Sequence, residues 1–484
     1  MSDDQAFPRP DAAAANTLGD ALRRVGYSES AVHDLLGEDA AAGTEQDAAA
    51  HERRLPDTRV ATVIRLLFLQ RTVPTRAVVE ALGPDGVHAL ETIGLAAVGD
   101  AVVPRARMLP VGHLLVAGDG YARGDDPGDY VAIYTPTSRV CDSLTPRPRV
   151  DRALDVGTGS GIHALLAAAH AGHVVATDVN RRSLAFTELN AALNGVTNVE
   201  CRHGSLFEPV AGETFDLITC NAPYVVSPEN RWAYRDSGLE GDAFSALVVR
   251  GAAAHLADGG YATVLVSWLG QDEDAPDERA FEWTDETGCD SWILAVWDAD
   301  PISHATSWNS HLVGDAFDRA LEEWAAYFER LGVVWISEGA VLLHRRPGGG
   351  EARVDAVDED DLEDADEQVR RAFAARARLS SLDGDDLLDE CLSLAMDVSL
   401  ERELEADGGI AEARIRLREG TGSVVDVEAD VLDVVASLEG RPLRAVIRTV
   451  GDRYDLSATE RAQLERAAVE TARELLELGA LAFA

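Results

Sequence analysis

Between residues 130 and 348 the chain alternates two hydrophobic rhythms. Short apolar runs rich in Val, Ile and Ala predict strands at 153–156, 174–178, 199–203, 216–220, 261–268, 291–297 and 332–344. The last is expected to be a hairpin, because Ser337-Glu338-Gly339 interrupts it. Between these runs, apolar positions recur at helical spacing over 161–171, 182–194, 244–255 and 315–331. Strands joined through helices predict an open α/β sheet, mostly parallel, with an antiparallel end.

The flanks carry other rhythms. Residues 16–25, 30–36, 58–69, 75–82 and 85–93 predict short helices, and 101–108 with 113–116 predict strands, so residues 1–129 form a helical, winged-helix-like domain. Its expected use is packing or partner docking and not nucleic-acid binding. A Gly/Asp-rich turn at 118–128 ends it. Beyond residues 130–348, Pro347-Gly348-Gly349-Gly350 is a flexible break and 355–367 an acidic linker, opening a third domain over 349–484. There, helices are predicted at 368–380, 387–395, 441–451 and 459–478, and a β-meander at 399–406, 410–417 and 423–431, which makes a small α+β unit.

Composition narrows the function. Of 484 residues, 46% are hydrophobic and 26% charged, as in folded globular proteins. All 43 basic residues are arginine against 85 acidic ones, and the formal charge of −42 repels nucleic-acid backbones at ordinary salt. A high-salt cytoplasm or a GC-rich genome accounts for this bias equally well. The five cysteines, Cys141, Cys201, Cys220, Cys289 and Cys391, are scattered without a C-x-x-C pair, so reduced and mostly buried thiols are expected. Neither a signal stretch nor an apolar run of membrane-spanning length is present, and the expected location is the cytoplasm.

The chemistry concentrates at three strand ends. Asp155-Val156-Gly157-Thr158-Gly159-Ser160-Gly161 follows the first predicted strand and opens a helix; glycines there permit a sharp turn and the close approach of a ligand. A dinucleotide fingerprint would require a glycine where Ile162 stands, so a methyl-donor site is favoured over a nicotinamide site. Asp178 ends the second strand, where a carboxylate can accept from both hydroxyls of a ribose. Asn221-Ala222-Pro223-Tyr224 follows the fourth strand. In order, these motifs occupy the edge of the sheet where open α/β folds bind ligands.

These residues resemble the class I S-adenosylmethionine-dependent methyltransferases, and within them the branch with an N-P-P-[YF] motif. That branch includes release-factor glutamine, ribosomal RNA guanine and DNA adenine methyltransferases. The resemblance covers about residues 130–346 and implies a Rossmann-like, seven-stranded methyltransferase sheet. It implies that Asp155 with Gly157, Thr158, Gly159 and Gly161 holds the methionine end of the donor, Asp178 the ribose, and Ser205 with Leu206 the adenine. It implies also that Asn221 and the carbonyl of Ala222 accept the hydrogens of a planar target amine, while Pro223 shapes the loop and Tyr224 packs over the target. Two positions depart from the pattern: Ala222 stands for proline, and Ser205 for the acid that contacts adenine.

A planar amine delocalises its lone pair, so acceptors aimed at its hydrogens favour attack on the sulfonium methyl, and no metal is required. His170 and His173 are the only close histidine pair and lack a third ligand, and His163 is expected to pack. Of the tryptophans, Trp268, Trp283, Trp292, Trp297, Trp308 and Trp232 in 232–238, most are expected in the core and some along the substrate pocket. Residues 134–138 are expected to shape the donor entrance. The favoured acceptor is a protein glutamine amide. RNA base-amine transfer is the alternative, with Arg370, Arg371, Arg376 and Arg378 as its best basic patch, and a non-catalytic donor-binding scaffold is the third reading. Neither DNA nor membrane is an expected partner. The end domains are expected to choose the substrate while the middle domain alone binds the donor.

Overall fold

The apolar runs assemble into an eight-stranded sheet: β1 (Val150–Val156), β2 (Ala171–Asp178), β3 (Val199–His203), β4 (Phe215–Cys220), β5 (Leu256–Gly270), β6 (Asp290–Ala299), β7 (Trp335–His344) and β8 (Ala352–Ala356). Their spatial order is β3-β2-β1-β4-β5-β7-β6-β8. The computed structural model describes residues 8–37, 45–121, 128–229, 238–272, 275–285, 287–382, 386–404 and 410–484. Strands β1 to β5 are parallel, and β7 is antiparallel to both neighbours. Helices α1 (Pro136–Leu144), α2 (Ile162–Ala168), α3 (Arg181–Leu193), α4 (Ala243–His255), α5 (Glu278–Asp285), α6 (Pro301–Trp308) and α7 (Asp315–Leu331) accompany the strands. From β1 the chain winds to β3 on one side and returns to β4 on the other, leaving a crevice at the carboxyl ends of β1 and β4.

Three expectations are corrected here. The sheet has eight strands and not seven, because the stretch after Gly350 is no free linker: β8 pairs in parallel with β6. Its sequence hides this, since an edge strand tolerates charge. Arg353 bonds Asp355 across one face, and Asp355 in turn accepts from Trp292 Nε1 at 2.7 Å. Second, β7 is one continuous strand and no hairpin. Gly339 lets β6 and β7 close up, since a Cβ there would sit 1.9 Å from the carbonyl oxygen of Leu294. Opposite it, the register of β6 shifts between Ala295 and Trp297. Third, only Asp386–Asp389 of the predicted 387–395 helix is helical, and Cys391–Leu394 pairs instead with Glu439–Pro442 and Leu481–Phe483.

The predicted meander forms from Val398–Leu404, Ile410–Leu417 and Val424–Asp426, but a helix, Ala429–Ala436, follows where strand was expected to reach 431. Its Val431, Leu432, Val434 and Val435 are all buried, so the β-branched character of the three valines misleads while the spacing of the four does not. Helices α1, α5 and α6 are also absent from the predicted set.

Both ends of the chain share cores with the sheet domain. At the N-terminal side, helices and short antiparallel strands occur in the predicted order, and Gly83, with φ 77°, breaks Thr75–Thr92 where two helices were expected. The fully buried Asn190 of α3 clamps this unit to the sheet. Its Oδ1 accepts from Ala117 N at 2.8 Å, and its Nδ2 donates to the carbonyls of Ala117 and Ser160, each at 2.8 Å. Asn190→Ala would strand these buried backbone groups, and chemical unfolding should show a loss of about 2–4 kcal/mol.

At the other end, Asp366–Leu379 lays Phe373 against Tyr261 and His344, with ring centroids 6.1 and 5.5 Å apart. Arg376, expected in a basic patch, is 4% exposed and stacks 4.8 Å over Trp292. Arg370 bonds Glu367, Arg371 the carbonyl of Gly479, and Arg378 Glu390, so these four guanidiniums are spent within the chain. The calls on 122–127, 232–237 and 405–406 lie outside the described residues.

Candidate functional site

The loop after β1 turns through three glycines with positive φ, Gly157 at 69°, Gly159 at 56° and Gly161 at 84°. Each does a different job. A Cβ on Gly157 would come within 3.0 Å of the Ala222 methyl, so the loops after β1 and β4 touch there. A Cβ on Gly161 would meet Thr187 atoms from 2.7 Å, where α2 packs on α3. Gly159 borders the cavity instead, with only the Gly157 carbonyl oxygen 4.0 Å from its Cβ position. Asp155, expected to touch the donor, is 1% exposed and lies beneath the loop. It accepts from Thr158 Oγ1 at 2.7 Å, Thr219 Oγ1 at 2.8 Å and Ala164 N at 3.1 Å. The carboxylate therefore shapes the loop from below and pins the first turn of α2.

Asp178 ends β2 at the cavity wall. Its carboxylate accepts from Gly159 N at 3.0 Å and Asn180 N at 2.7 Å, which fixes it beside the glycine loop. Burial raises its pKa above the ordinary aspartate value. Beside it Val179 is 55% exposed within the cavity, and Leu206 holds a positive φ of 47° while its carbonyl accepts from Thr177 Oγ1 at 3.1 Å. Ser205 lines the same wall.

Asn221, Ala222, Pro223 and Tyr224 line the facing side. Asn221 Nδ2 donates to Ser138 Oγ at 3.4 Å, and its Oδ1 has no partner among the described residues. Thr135 caps α1 and so sets Ser138; of residues 134–138, Thr135, Pro136, Thr137 and Ser138 line the cavity and Tyr134 does not. Tyr224 is 6% exposed, and burial pushes its phenol well above the ordinary range.

All of this encloses one cavity of about 1030 Å³, large enough for a nucleoside donor with part of a second substrate. Of the expected site residues, Asp155 and Gly161 support its wall from behind and the others line it. Its far wall combines Trp297 of β6 and Trp308 of α6, two of the tryptophans from which pocket residues were expected, with His304 of α6, Glu338 of β7 and Glu359 beyond β8, which went unrecognised in the sequence. A polar residue interrupting the buried run of β7 was the available signal for Glu338. Trp268, Trp283 and Trp292 are core, whereas Trp297 and Trp308 wall the cavity. His163 is buried, which lowers its pKa, and His173 pairs with Glu200. Among the described residues no cluster of metal-ligating side chains is found, and no helix is long and apolar enough to cross a membrane.

The site fits S-adenosylmethionine: glycines leave room at the loop, a fixed carboxylate stands at the end of β2, and apolar surface lies beside it. Asp178→Ala should weaken donor binding by about 1–3 kcal/mol in calorimetry. Donor affinity should also fall toward acid pH, beginning at higher pH than an exposed aspartate would give, because protonation removes an acceptor from a group whose pKa is raised. The Asp178→Asn variant should lack that dependence.

A family model described as methyltransferase small domain matches residues 137–268, and one described as a domain of unknown function, DUF7059, matches 24–107. A release factor glutamine methyltransferase of Xylella fastidiosa is 35% identical over 129 residues, 24% of this chain and 47% of the relative. A ribosomal protein uL3 glutamine methyltransferase of Bradyrhizobium diazoefficiens is 32% identical over 176 residues, 32% of this chain and 54% of the relative. The chain thus spans about half the length of these two. A ribosomal protein L11 methyltransferase of Rhodopseudomonas palustris is 34% identical over 215 residues, 39% of this chain and 71% of the relative. The matched segment 137–268 runs from α1 into β5 and carries both loops of the cavity, and the last relative is matched over most of its own length: the chain belongs to the class I S-adenosylmethionine-dependent methyltransferases.

Proposed function

We propose that this protein methylates a planar nitrogen, the side-chain amide of a glutamine in a protein. When bound, S-adenosylmethionine supplies an electrophilic sulfonium methyl. The glycine loop holds the methionine end of the donor, Asp178 holds its ribose, and Val179 and Leu206 flank its adenine beside Ser205. Asn221 Oδ1 and the Ala222 carbonyl accept the two amide hydrogens, which turns the nitrogen lone pair toward the methyl. Tyr224 stays a neutral phenol and packs beside the planar group. The proton leaves to water after transfer, so no strong base is needed.

One observation carries this reading: Asn221 spends its Nδ2 on Ser138 and keeps Oδ1 as an unpaired acceptor on the cavity wall. A protein acceptor is favoured over RNA by the formal charge of −42 and by the internal pairing of the best basic cluster. The named glutamine methyltransferases among the relatives support the same choice. The test incubates the protein with radiolabelled S-adenosylmethionine and a host lysate, then separates protein from RNA. Label recovered as methylglutamine after digestion of the protein fraction is the expected result. Label in RNA alone, or in neither fraction, would overturn it.

A further inference from the structure

The far end of the cavity holds two carboxylates, each gripped by one basic side chain and one indole. Glu338 is 8% exposed; its Oε1 accepts from Trp308 Nε1 at 3.0 Å and lies 3.2 Å from His304 Nδ1. The other nitrogen of His304 faces the Val226 carbonyl at 3.1 Å, so that ring is held at both ends. Glu359 accepts from Trp297 Nε1 at 2.8 Å and from Arg139 Nη2 at 3.1 Å. Trp297 and Glu338 are register partners on β6 and β7. The shift at Ala295 is what turns Trp297 toward this wall, as bulges beside functional sites do.

These grips fix both carboxylates and use the indole and basic donors that surround them. Glu338 Oε2 has no partner among the described residues and faces the cavity. That oxygen keeps some exposure to the cavity, so water or a ligand there can reach and satisfy it. With Trp297, Trp308 and Tyr224 around it, the end of the cavity combines fixed carboxylate with aromatic surface. That combination recognises a cationic side chain, which gains both a charge-assisted hydrogen bond and ring contact.

Resting on the proposed glutamine reading, we infer that Glu338 is a specificity residue that receives a basic side chain, best an arginine, flanking the target glutamine in the substrate protein. The planar guanidinium suits both the carboxylate and the flat indoles better than an ammonium does.

The test uses the full chain with radiolabelled S-adenosylmethionine and glutamine-centred heptapeptides whose neighbouring residue is arginine, lysine, citrulline or glutamate. Citrulline keeps the shape of arginine without its charge. The arginine peptide should be labelled about tenfold or more faster than the citrulline peptide, through a lower KM, as a charge-assisted bond predicts. Glu338→Gln should erase that difference while calorimetric donor affinity holds. Equal labelling of the arginine and citrulline peptides by the unmodified protein would overturn the inference and leave the glutamine reading intact, and this comparison does not depend on the variant folding. Label confined to RNA, or failure of the protein to bind the donor, would overturn both.

Discussion

Replacing Asn221 by alanine should slow methyl transfer by roughly 10²- to 10³-fold, the scale for one preorganised polar contact made to a transition state. Donor affinity should change far less, because the groups proposed to hold the donor lie at the ends of β1, β2 and β3 and Asn221 lines the facing side at the end of β4. The asymmetry follows from chemistry. In the ground state the target nitrogen is planar and its hydrogens are weakly acidic, whereas during transfer positive charge grows on it and its hydrogens bind acceptors more strongly. Removing Oδ1 therefore costs more in the transition state than in binding. Single-turnover rates and calorimetry on the same variant separate the two effects. Near-normal turnover would show that the loop after β4 serves only to close the sheet edge. Ser138→Ala should reproduce a smaller part of the loss, since it frees the Asn221 amide to rotate without removing its oxygen.

The parts of this site visible in the sequence are those set by backbone demands. Gly157 and Gly161 are glycine because Ala222 and Thr187 stand against their Cβ positions, and a motif of that kind can be read without coordinates. Asp178 and Asn221 could be found because the ends of consecutive strands converge in any sheet of this order. Asp155 shows the limit: its place in the motif was legible, but only its three buried partners reveal that it holds the loop from below. The far wall was hidden for a different reason. Trp297 and Trp308 were visible only as members of a tryptophan set from which some pocket residues were expected; His304, Glu338 and Glu359 come from separate segments that meet them through antiparallel pairing and through β8, and long-range pairing leaves no local pattern. Charge misled in the same region, since Arg353 and Asp355 neutralise each other within an edge strand that resembles linker.

Ending the chain at Arg346 should abolish cooperative folding and not merely change substrate choice. A third domain on a flexible tether could be removed without harm to donor binding, which is the expectation that the Pro347-Gly348-Gly349-Gly350 stretch encourages. The packing points the other way. Truncation removes β8 and leaves the edge of β6 unpaired. It also removes Val369, Phe373 and Leu379, which belong to the same apolar core as Trp292, Val341 and Leu343 of the sheet. Each large apolar side chain so buried contributes roughly 1.5–3 kcal/mol, so a few of them equal the 5–15 kcal/mol by which a typical domain is stable. Trp292 would lose both the carboxylate that its indole bonds and the guanidinium stacked on it. The full chain should therefore melt with the sheet and the C-terminal unit in one transition, and the truncated chain should be insoluble or show no cooperative transition by circular dichroism. A soluble 1–346 fragment that melts sharply and binds S-adenosylmethionine with full affinity would establish instead that the C-terminal unit only rests on the sheet, its contacts too weak to be part of the fold.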